Sequence, residues 1–394
     1  MQHTNIMKSI EETQAHTQYR ICSRCVMDTS DGEIVFDANG VCNHCRRAED
    51  LITTRLSLYK SGGAYQIDQV AARMKASGKG KAYDCIVGVS GGVDSTYAAY
   101  MLKKLGLRPL AVHFDNGWNS ELAVKNIEVT LKTLGIDLHT HVVDWEEFRS
   151  LQLSFLKASV PDAEIPTDHA IWALLYQTAT RFGLQYIISG TNISTESILP
   201  QSWTYGVSDW TYIKNIHRTY SAKTLGSYPH ASLGKFIYYV MIRGIKTFSI
   251  LNAIDYNKDQ AIEVLERELG WTNYGGKHHE SIYTRFFQSY ILPVKFGIDK
   301  RRAHFSSLII AGTMTRAEAL GKLETSIADT GLVQEDLQYV SKKLDMSLTD
   351  FEKLMEAPVK SYTDFKSNAE LYTKLKRLMN VGKRWGLLPA QIGL

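Results

Sequence analysis

Short apolar runs alternate with amphipathic segments in the middle of this chain, and that alternation restricts the fold more than any other feature. Four runs have the length of buried strands: 84–89, 108–113, 139–143 and 185–189. The segments around them have the length and periodicity of helices: 95–105, 120–134, 146–159 and 169–182. Strands connected through helices form right-handed crossovers and pair in parallel. We therefore predict an α/β fold with a doubly wound parallel sheet, followed by a helical layer.

The composition is that of an ordinary soluble globular protein, with 394 residues of which 44% are hydrophobic and 22% charged. A net charge of +4 is too small for a dedicated nucleic-acid-binding surface. No apolar run approaches the roughly 20 residues of a membrane span, and we expect the fairly apolar stretch 236–254 to be a buried helix. The polar stretch 1–17 has no apolar signal core, which predicts a cytoplasmic location.

Four of the five cysteines form two CxxC pairs, Cys22 with Cys25 and Cys42 with Cys45, and sixteen residues separate the pairs. This spacing is typical of a four-cysteine zinc site, and turn residues on both sides of 33–36 predict a hairpin between the two knuckles. Four thiolates leave no open coordination position, so the zinc is expected to be structural.

Two other interpretations of the cysteine pairs remain. A pair of disulfides is disfavoured in the cytoplasm, and a redox CxxC normally follows a strand. His44 is expected to be a surface neighbour of the zinc site and not a ligand. Cys85 lies inside the first predicted strand, where we expect a small buried side chain without chemistry.

A glycine-rich turn joins the first predicted strand to the next helix. It consists of Ser90, Gly91, Gly92, Val93, Asp94 and Ser95. Glycines let an anion approach the backbone, and a helix N-terminus directs amides and a positive dipole end toward it. Asp94 beside a phosphate is expected to hold Mg2+. The turn lacks the Gly-Lys-Ser/Thr ending of a Walker loop, which disfavours a kinase or GTPase.

The turn resembles the SGGxDS signature of the N-type ATP pyrophosphatases, which include NAD synthetase, GMP synthetase, asparagine synthetase and tRNA-thiolating enzymes. That resemblance implies cleavage of ATP between the α and β phosphates, with transfer of AMP and release of pyrophosphate. It further implies a magnesium site shared by Asp94 and Glu196, although Glu196 as a helix-capping residue is the alternative. The other nucleotide contacts that it implies are His113, Asp115, Gly190 and Thr191.

Cations are concentrated in segments 274–281 and 295–304. We interpret Lys277, Lys300 and Arg301 as groups that close over pyrophosphate or an acidic substrate; a solvated surface is the alternative. With the zinc knuckles and the turn, these segments resemble the N-acetyl sugar amidotransferases of surface-polysaccharide biosynthesis, from Cys22 to about residue 320.

The second resemblance implies conversion of an acetamido group on a nucleotide-linked N-acetyl sugar into an acetamidino group. ATP, Mg2+ and structural Zn2+ are the implied cofactors, and Asp94, Glu196 and Lys277 the implied catalytic residues. Since Cys85 is the one cysteine outside the CxxC pairs, ammonia is expected from a separate glutamine amidotransferase subunit. A cyclase-like companion is a further candidate partner.

Two rival functions remain beside sugar amidotransfer. Thiolation of tRNA would use a similar adenylation, but it often needs a cysteine pair or an iron-sulfur cluster that Cys85 alone cannot provide. A zinc-bearing scaffold with a degenerate nucleotide fold is disfavoured by the intact turn. The expected domains are a zinc-binding module 18–50, a helical linker 51–80, an ATP pyrophosphatase domain 81–235 and a mainly helical region 236–394 that completes the substrate site.

Overall fold

The computed structural model describes residues 19–57, 60–61, 64–65, 67–274 and 280–384. Four short elements precede the main sheet: α1 (Asn43–Ser57), the two-stranded β1 (Lys60–Ser61) and β2 (Ala64–Tyr65), and α2 (Ile67–Ser77). In the zinc module, the predicted hairpin is reduced to isolated bridges that pair Ile21 with Asp28 and Phe36 with Cys42.

The main sheet has five strands, all paired in parallel, in the order β5-β4-β3-β6-β7. Their bounds are β3 (Cys85–Gly88), β4 (Pro109–Asp115), β5 (Asp137–Val142), β6 (Tyr186–Ser189) and β7 (Lys246–Ser249). The predicted parallel sheet is thereby confirmed. The chain first winds outward from β3 to β5 and then returns to add β6 and β7 on the other side. The switch point of the sheet therefore lies between β3 and β6, where ligands of open parallel sheets bind.

Helices cover both faces of the sheet, as the alternation of the sequence predicts. They are α3 (Val93–Lys104), α4 (Glu121–Leu134), α5 (Trp145–Ala158) and α6 (Ile165–Arg181). Successive residues of β3 point to opposite faces, so Ile86 joins one apolar core while Cys85 and Val87 join the other. Cys85 is completely buried, in agreement with its interpretation as a core residue.

The apolar stretch 236–254 is not the single buried helix that we expected. After α7 (Ile193–Glu196) and α8 (Trp210–Tyr220), the chain forms α9 (Leu233–Ile237), which continues as a π-helical turn, Tyr238–Ile242. Gly244, with φ +64°, then reverses the chain into β7. Continuous hydrophobicity of this length suits either a helix or a buried strand, and here it encodes both in succession. The sheet thus continues to Ser249, beyond the expected domain boundary at residue 235.

The remaining described elements are helical, which confirms the predicted helical layer. They are α10 (Lys258–Leu269), α11 (Ile282–Phe286) with the π-helical Phe287–Ile291, α12 (Leu292–Phe296), α13 (Lys300–Ile310), α14 (Arg316–Glu324), α15 (Thr330–Lys343), α16 (Leu348–Glu356) and α17 (Ala369–Arg384). The predicted capping box is present, since Thr315 and Glu318 cap α14 reciprocally. In the described part of the chain, every helix is too short or too polar to cross a bilayer.

Candidate functional site

The turn 90–95 lies at the switch point of the sheet, between β3 and α3. Its two serine hydroxyls are used to shape it: the Ser90 amide donates to Ser95 Oγ at 3.2 Å, and the Gly92 amide donates to Ser90 Oγ at 3.3 Å. Ser95 Oγ also donates to the Gly92 carbonyl oxygen at 3.1 Å. These bonds fix the backbone in a compact curve before any ligand binds, which lowers the entropy lost on binding.

The same turn presents backbone donors. Gly91 has φ +83°, and a Cβ at this position would lie 2.5 Å from the Ala123 carbonyl oxygen, so only glycine fits. Gly92 is the N-cap of α3 and supplies no side-chain cap. Among the described residues, no protein acceptor is found for the amides of Gly91, Asp94 and Ser95. Amides without an acceptor among the described residues, at the positive end of a 12-residue helix, are suited to bind an anion.

Three aromatic residues from 256–274 hold this turn from outside, and the sequence analysis did not find them. Trp271 Nε1 donates to the Gly91 carbonyl oxygen at 2.9 Å, the Val93 amide donates to the Tyr274 hydroxyl at 3.2 Å, and the Tyr256 hydroxyl donates to Asp94 Oδ1. Burial raises the pKa of both tyrosines, so their hydroxyls remain protonated. These contacts join positions 162 to 181 residues apart, and no local pattern encodes them.

The segment after β4 brings His113 and Asp115 to the same edge of the sheet. His113 is buried; its Nδ1 lies 2.9 Å from the Val89 carbonyl oxygen, and its Nε2 lies 3.1 Å from Asn119 Nδ2. Both ring nitrogens are therefore used inside the protein. Asp115 Oδ1 accepts from the Gly117 amide at 2.9 Å and fixes the turn. Adenosine contacts by either side chain stay a prediction.

The segment after β6 lies directly against the first turn of α3. A Cβ on Gly190 would come within 2.9 Å of the Asp94 backbone, so this glycine permits the close approach. Thr191 Oγ1 lies 2.9 Å from Ser189 Oγ and 3.1 Å from Ser249 Oγ, which connects β6 to β7. Glu196 is exposed at the end of α7. Carboxylates are hard oxygen ligands, so Asp94 and Glu196 fit Mg2+ by their chemistry, and their shared site stays a prediction.

Buried polar atoms around Glu196 support a ligand or ordered solvent near this segment. Asn192 Nδ2, Thr195 Oγ1 and Ser197 Oγ are buried and have no hydrogen-bond partner among the described residues. Buried polar groups are nearly always paired, so these three atoms within six residues could pair with a ligand or ordered solvent.

A carboxylate pair lies at the start of α6, which is held to the end of β4 by a hydrogen bond from Asn116 Nδ2 to Thr167 Oγ1 at 3.0 Å. Glu164 Oε2 is 2.9 Å from Lys300 Nζ. Asp168 is exposed to solvent, yet desolvation by the surrounding protein raises the pKa of its carboxyl to about 7. The charge of Glu164 raises that pKa further, and Lys300 lowers it. Sequence analysis found only Lys300 of this group.

Arg301 and Lys277 are the other cations that the sequence predicted for the site. The Arg301 guanidinium binds Asp299, with Nη2 to Oδ2 at 2.8 Å, and donates to the Thr325 carbonyl oxygen at 3.0 Å. These contacts hold α13 against the end of α14, and a phosphate contact by Arg301 stays a prediction. Lys277 lies outside the described residues, as do its neighbours 275–279.

The four cysteines of the CxxC pairs form one buried cluster. Their Sγ atoms all lie within 4.8 Å of one another, with 3.8 Å from Cys22 to Cys45 and 3.7 Å from Cys25 to Cys42. Tetrahedral zinc with Zn–S bonds of about 2.3 Å needs sulfur separations of about 3.8 Å. A disulfide would need about 2 Å. The cluster thus fits zinc. His44 is outside the cluster, and it is buried beside Asp31 at 2.6 Å, not on the surface as expected.

The cysteine cluster is docked onto α13 and α14 through its backbone. Arg316 Nε donates to the carbonyl oxygen of Cys25 at 3.0 Å, and the Val26 amide donates to Ser306 Oγ at 3.2 Å. On its other side, α13 contacts the Glu196 segment: the Ile198 amide donates to Ser307 Oγ at 3.0 Å. The cysteine cluster therefore supports α13, and α13 in turn carries Lys300 and holds the segment that follows Glu196.

Comparison with known families gives a match in the helical layer. Residues 280–379 match the family model described as LPS biosynthesis protein WbpG-like, C-terminal domain. The match spans 100 of the 394 residues and contains Lys300 and Arg301. It confirms the expected resemblance to a surface-polysaccharide family for this part of the chain. No curated protein is significantly similar to the chain.

Three of the solved structures that are similar to this chain have sequence identities of 16% to 17% to it. The NH3-dependent NAD synthetase of Campylobacter jejuni subsp. jejuni has 17% identity over 56% of this chain and 83% of its own, with a TM-score of 0.28. The NMN synthetase of Francisella tularensis has 16% identity over 52% and 91%, with a TM-score of 0.26. A predicted subunit of tRNA methyltransferase from Methanocaldococcus jannaschii has 16% identity over 46% and 74%, with a TM-score of 0.27. These TM-scores are low, and the chain's own sheet topology defines its fold.

Proposed function

We propose, from the WbpG-like match of residues 280–379 and the anion-binding turn of the sheet, that this chain is an ATP-dependent amidotransferase of lipopolysaccharide biosynthesis. It adenylates the acetamido oxygen of a nucleotide-linked N-acetyl sugar and replaces that oxygen with ammonia. The observation that carries the proposal is the turn 90–95, whose unpaired amides and Asp94 lie at the switch point of the parallel sheet.

The first step transfers AMP to the sugar amide. The amide oxygen attacks the α phosphorus of ATP, and the bond from this phosphorus to the β-phosphate bridging oxygen breaks. The amides of Gly91, Asp94 and Ser95 would hold the pyrophosphate as its charge develops, which stabilises the transition state without reorganisation. Asp94 and Glu196 would hold Mg2+, which supplies charge neutralisation to the phosphates when bound. Lys277 is assigned to the α phosphate by the same proposal.

The second step replaces oxygen by nitrogen. Ammonia adds to the imidate carbon, the carbon–oxygen bond to AMP breaks, and AMP leaves with the oxygen. The nitrogen must lose a proton as the amidine forms. Asp168 is suited to accept it, because its side chain is exposed and desolvation raises the pKa of its carboxyl to about 7. The charge of Glu164 raises that pKa, and the charge of Lys300 lowers it.

The ammonia source is a second part of the proposal. Burial raises the pKa of the Cys85 thiol, so the one cysteine outside the zinc cluster is a poor nucleophile toward glutamine. A separate glutaminase subunit would then deliver ammonia, with a cyclase-like companion as a further candidate. Amination by the purified chain with glutamine as fast as with ammonium would contradict this.

The deciding experiment supplies ATP, Mg2+ and ammonium together with candidate nucleotide-linked N-acetyl sugars. Mass spectrometry should detect replacement of the acetamido oxygen by NH, with AMP and pyrophosphate in amounts equal to the amidine. Asp94→Asn is the matched control and should form product more slowly by about 100-fold or more. Release of AMP only when tRNA is present would refute sugar amidotransfer and favour RNA modification.

A further inference from the structure

Four large apolar side chains are exposed side by side on one short helical segment. Ile237, Tyr238, Met241 and Ile242 are exposed by 43%, 42%, 54% and 74% respectively. They belong to α9 and the π-helical turn that continues it. Single exposed apolar residues are ordinary, but a contiguous group of this size indicates an interaction surface.

The backbone explains why these four residues share a face. The Arg243 amide donates to the Tyr238 carbonyl oxygen at 3.0 Å, and this wide π-helical turn is typical of functional sites. The inner face is already anchored to α6: the Phe236 ring lies 5.2 Å from Trp172, and the Tyr239 ring stacks on Tyr176 at 5.5 Å. The outer face is therefore not needed for packing within the chain.

Basic residues surround the exposed group and acidic residues are lacking nearby in sequence. Lys235, Arg243 and Lys246 are exposed, and Arg243 Nη2 donates to the Thr180 carbonyl oxygen at 3.3 Å, which brings the exposed Arg181 close. Stretches 169–195 and 210–254 contain no Asp or Glu. We call the four apolar and these four basic residues together the basic apolar patch.

The patch lies away from the proposed active site. Residues 243–245 lead into the amino end of β7, which is an outer strand of the sheet, whereas the turn 90–95 follows the carboxyl end of β3. A surface that occupies the patch would leave the carboxyl edge, and with it the nucleotide site, open to solvent.

We propose that the basic apolar patch docks this protein onto a bilayer that contains anionic phospholipid. Apolar side chains flanked by Lys and Arg on a short helix enter the headgroup region while the cations bind lipid phosphates. A second copy of the chain is a poor occupant, because two patches of four cations without acids would repel each other. The proposal is independent of the proposed function.

The test is co-sedimentation of the full chain with vesicles of phosphatidylcholine alone or of phosphatidylcholine and phosphatidylglycerol in equal parts. The wild type should bind the anionic vesicles, more weakly at high salt. Arg243→Gln and Lys246→Gln should each reduce partitioning about fivefold. Met241→Ser combined with Ile242→Ser should reduce it about tenfold or more.

Matched controls lie on other surfaces. Val142→Ser removes a 68% exposed apolar residue from the opposite outer strand β5, and Lys132→Gln removes an exposed cation from α4. Both should bind vesicles like the wild type. Equal binding to the two vesicle types, absence of binding, or patch variants that bind like the wild type would each overturn the proposal. So would a wild-type dimer in sedimentation velocity that Met241→Ser with Ile242→Ser converts to monomer.

Discussion

Lys300 Nζ lies 2.9 Å from Glu164 Oε2, and the two opposite charges act on the Asp168 carboxyl one helical turn along α6. The cation that sequence analysis assigned to phosphate thus already has an anionic partner. Replacing either partner leaves the other charge to act on Asp168 alone, which makes this pair a sensitive test of the proposed proton acceptor.

The pH dependence of the amination rate should report the protonation state of the Asp168 carboxyl. If its carboxylate accepts the proton, the amination rate at constant free ammonia rises through about pH 7. Glu164→Gln removes a negative neighbour and should move this rising limb of the pH profile to lower pH. Lys300→Met removes a positive neighbour and should move the limb to higher pH. We expect each shift to be about half a pH unit or more. The measurement is steady-state AMP release between pH 5.5 and 9, roughly the range around this carboxyl.

Asp168→Asn is the companion variant for that profile. It should lower the rate by about 100-fold and abolish the limb, because no carboxyl remains to accept the proton. If Glu164→Gln and Lys300→Met shift the limb in the same direction, or if Asp168→Asn keeps it, the assigned role is wrong.

Replacing the proposed magnesium ligands should change the Mg2+ dependence of the rate and leave the stability of the fold unchanged. Asp94→Asn is expected to reduce AMP release by about 100-fold or more, and Glu196→Gln to raise the Mg2+ concentration needed for half-maximal rate. Glu352→Gln changes an exposed carboxylate on α16 and should have neither effect. Thermal unfolding within about 1 °C of the wild type would show that the fold is intact. A normal Mg2+ requirement in Glu196→Gln would favour the capping interpretation of that residue.

Gly91 offers a test of the turn itself. Gly91→Ala places a Cβ in a left-handed conformation and 2.5 Å from the Ala123 carbonyl oxygen, so the turn must move. Gly80→Ala has a similar φ of +77° but nothing within 4 Å, and it isolates the backbone strain. We expect about 1 kcal/mol of destabilisation for Gly80→Ala and about 3 kcal/mol for Gly91→Ala. Chemical denaturation measures both, and ATP binding by calorimetry should be lost only in Gly91→Ala.

Removal of zinc should lower enzymatic activity, although the cysteine cluster lies outside the proposed nucleotide site. Cys45→Ser is expected to lose bound zinc, to destabilise the protein by about 2 kcal/mol or more, which is roughly 2 °C or more in Tm, and to lower activity, since α13 loses its support. Cys85→Ala is the matched control: it removes a buried thiol from the sheet, costs about 1 kcal/mol and keeps the zinc. Metal analysis and calorimetry distinguish the two. Full activity in zinc-free protein would refute the supporting role.

Local patterns were sufficient for four of the five strands of the sheet and for the turn. The strand at 85–88 and the helix beginning at Val93 follow from an apolar run that ends in glycines and is followed by helical periodicity. The four-cysteine cluster was equally accessible, because its members and their spacing are contained in a short segment.

Long-range contacts explain what the sequence did not reveal. Tyr256 and Trp271 reach the turn from more than 160 positions away, and Asp168 owes its pKa to the surrounding protein, which no linear pattern records. The prediction of a single helix over 236–254 was wrong for a different reason. An apolar run bounded by cations suits a helix, and only pairing with β6 assigns its second half to a strand.

The separation between the cysteine knuckles and their supports has a consequence for biogenesis. Arg316 is 294 positions from Cys22, so the cysteine knuckles leave the ribosome long before the arginine that binds their backbone. At about 5 to 20 residues per second, that delay lasts roughly 15 to 60 s. During this interval the thiolates can capture metal, but α13 and α14 are not yet present to contact the knuckles or the segment that follows Glu196. Newly made chains would therefore depend on zinc capture and thiol protection early in synthesis, long before the nucleotide site can work.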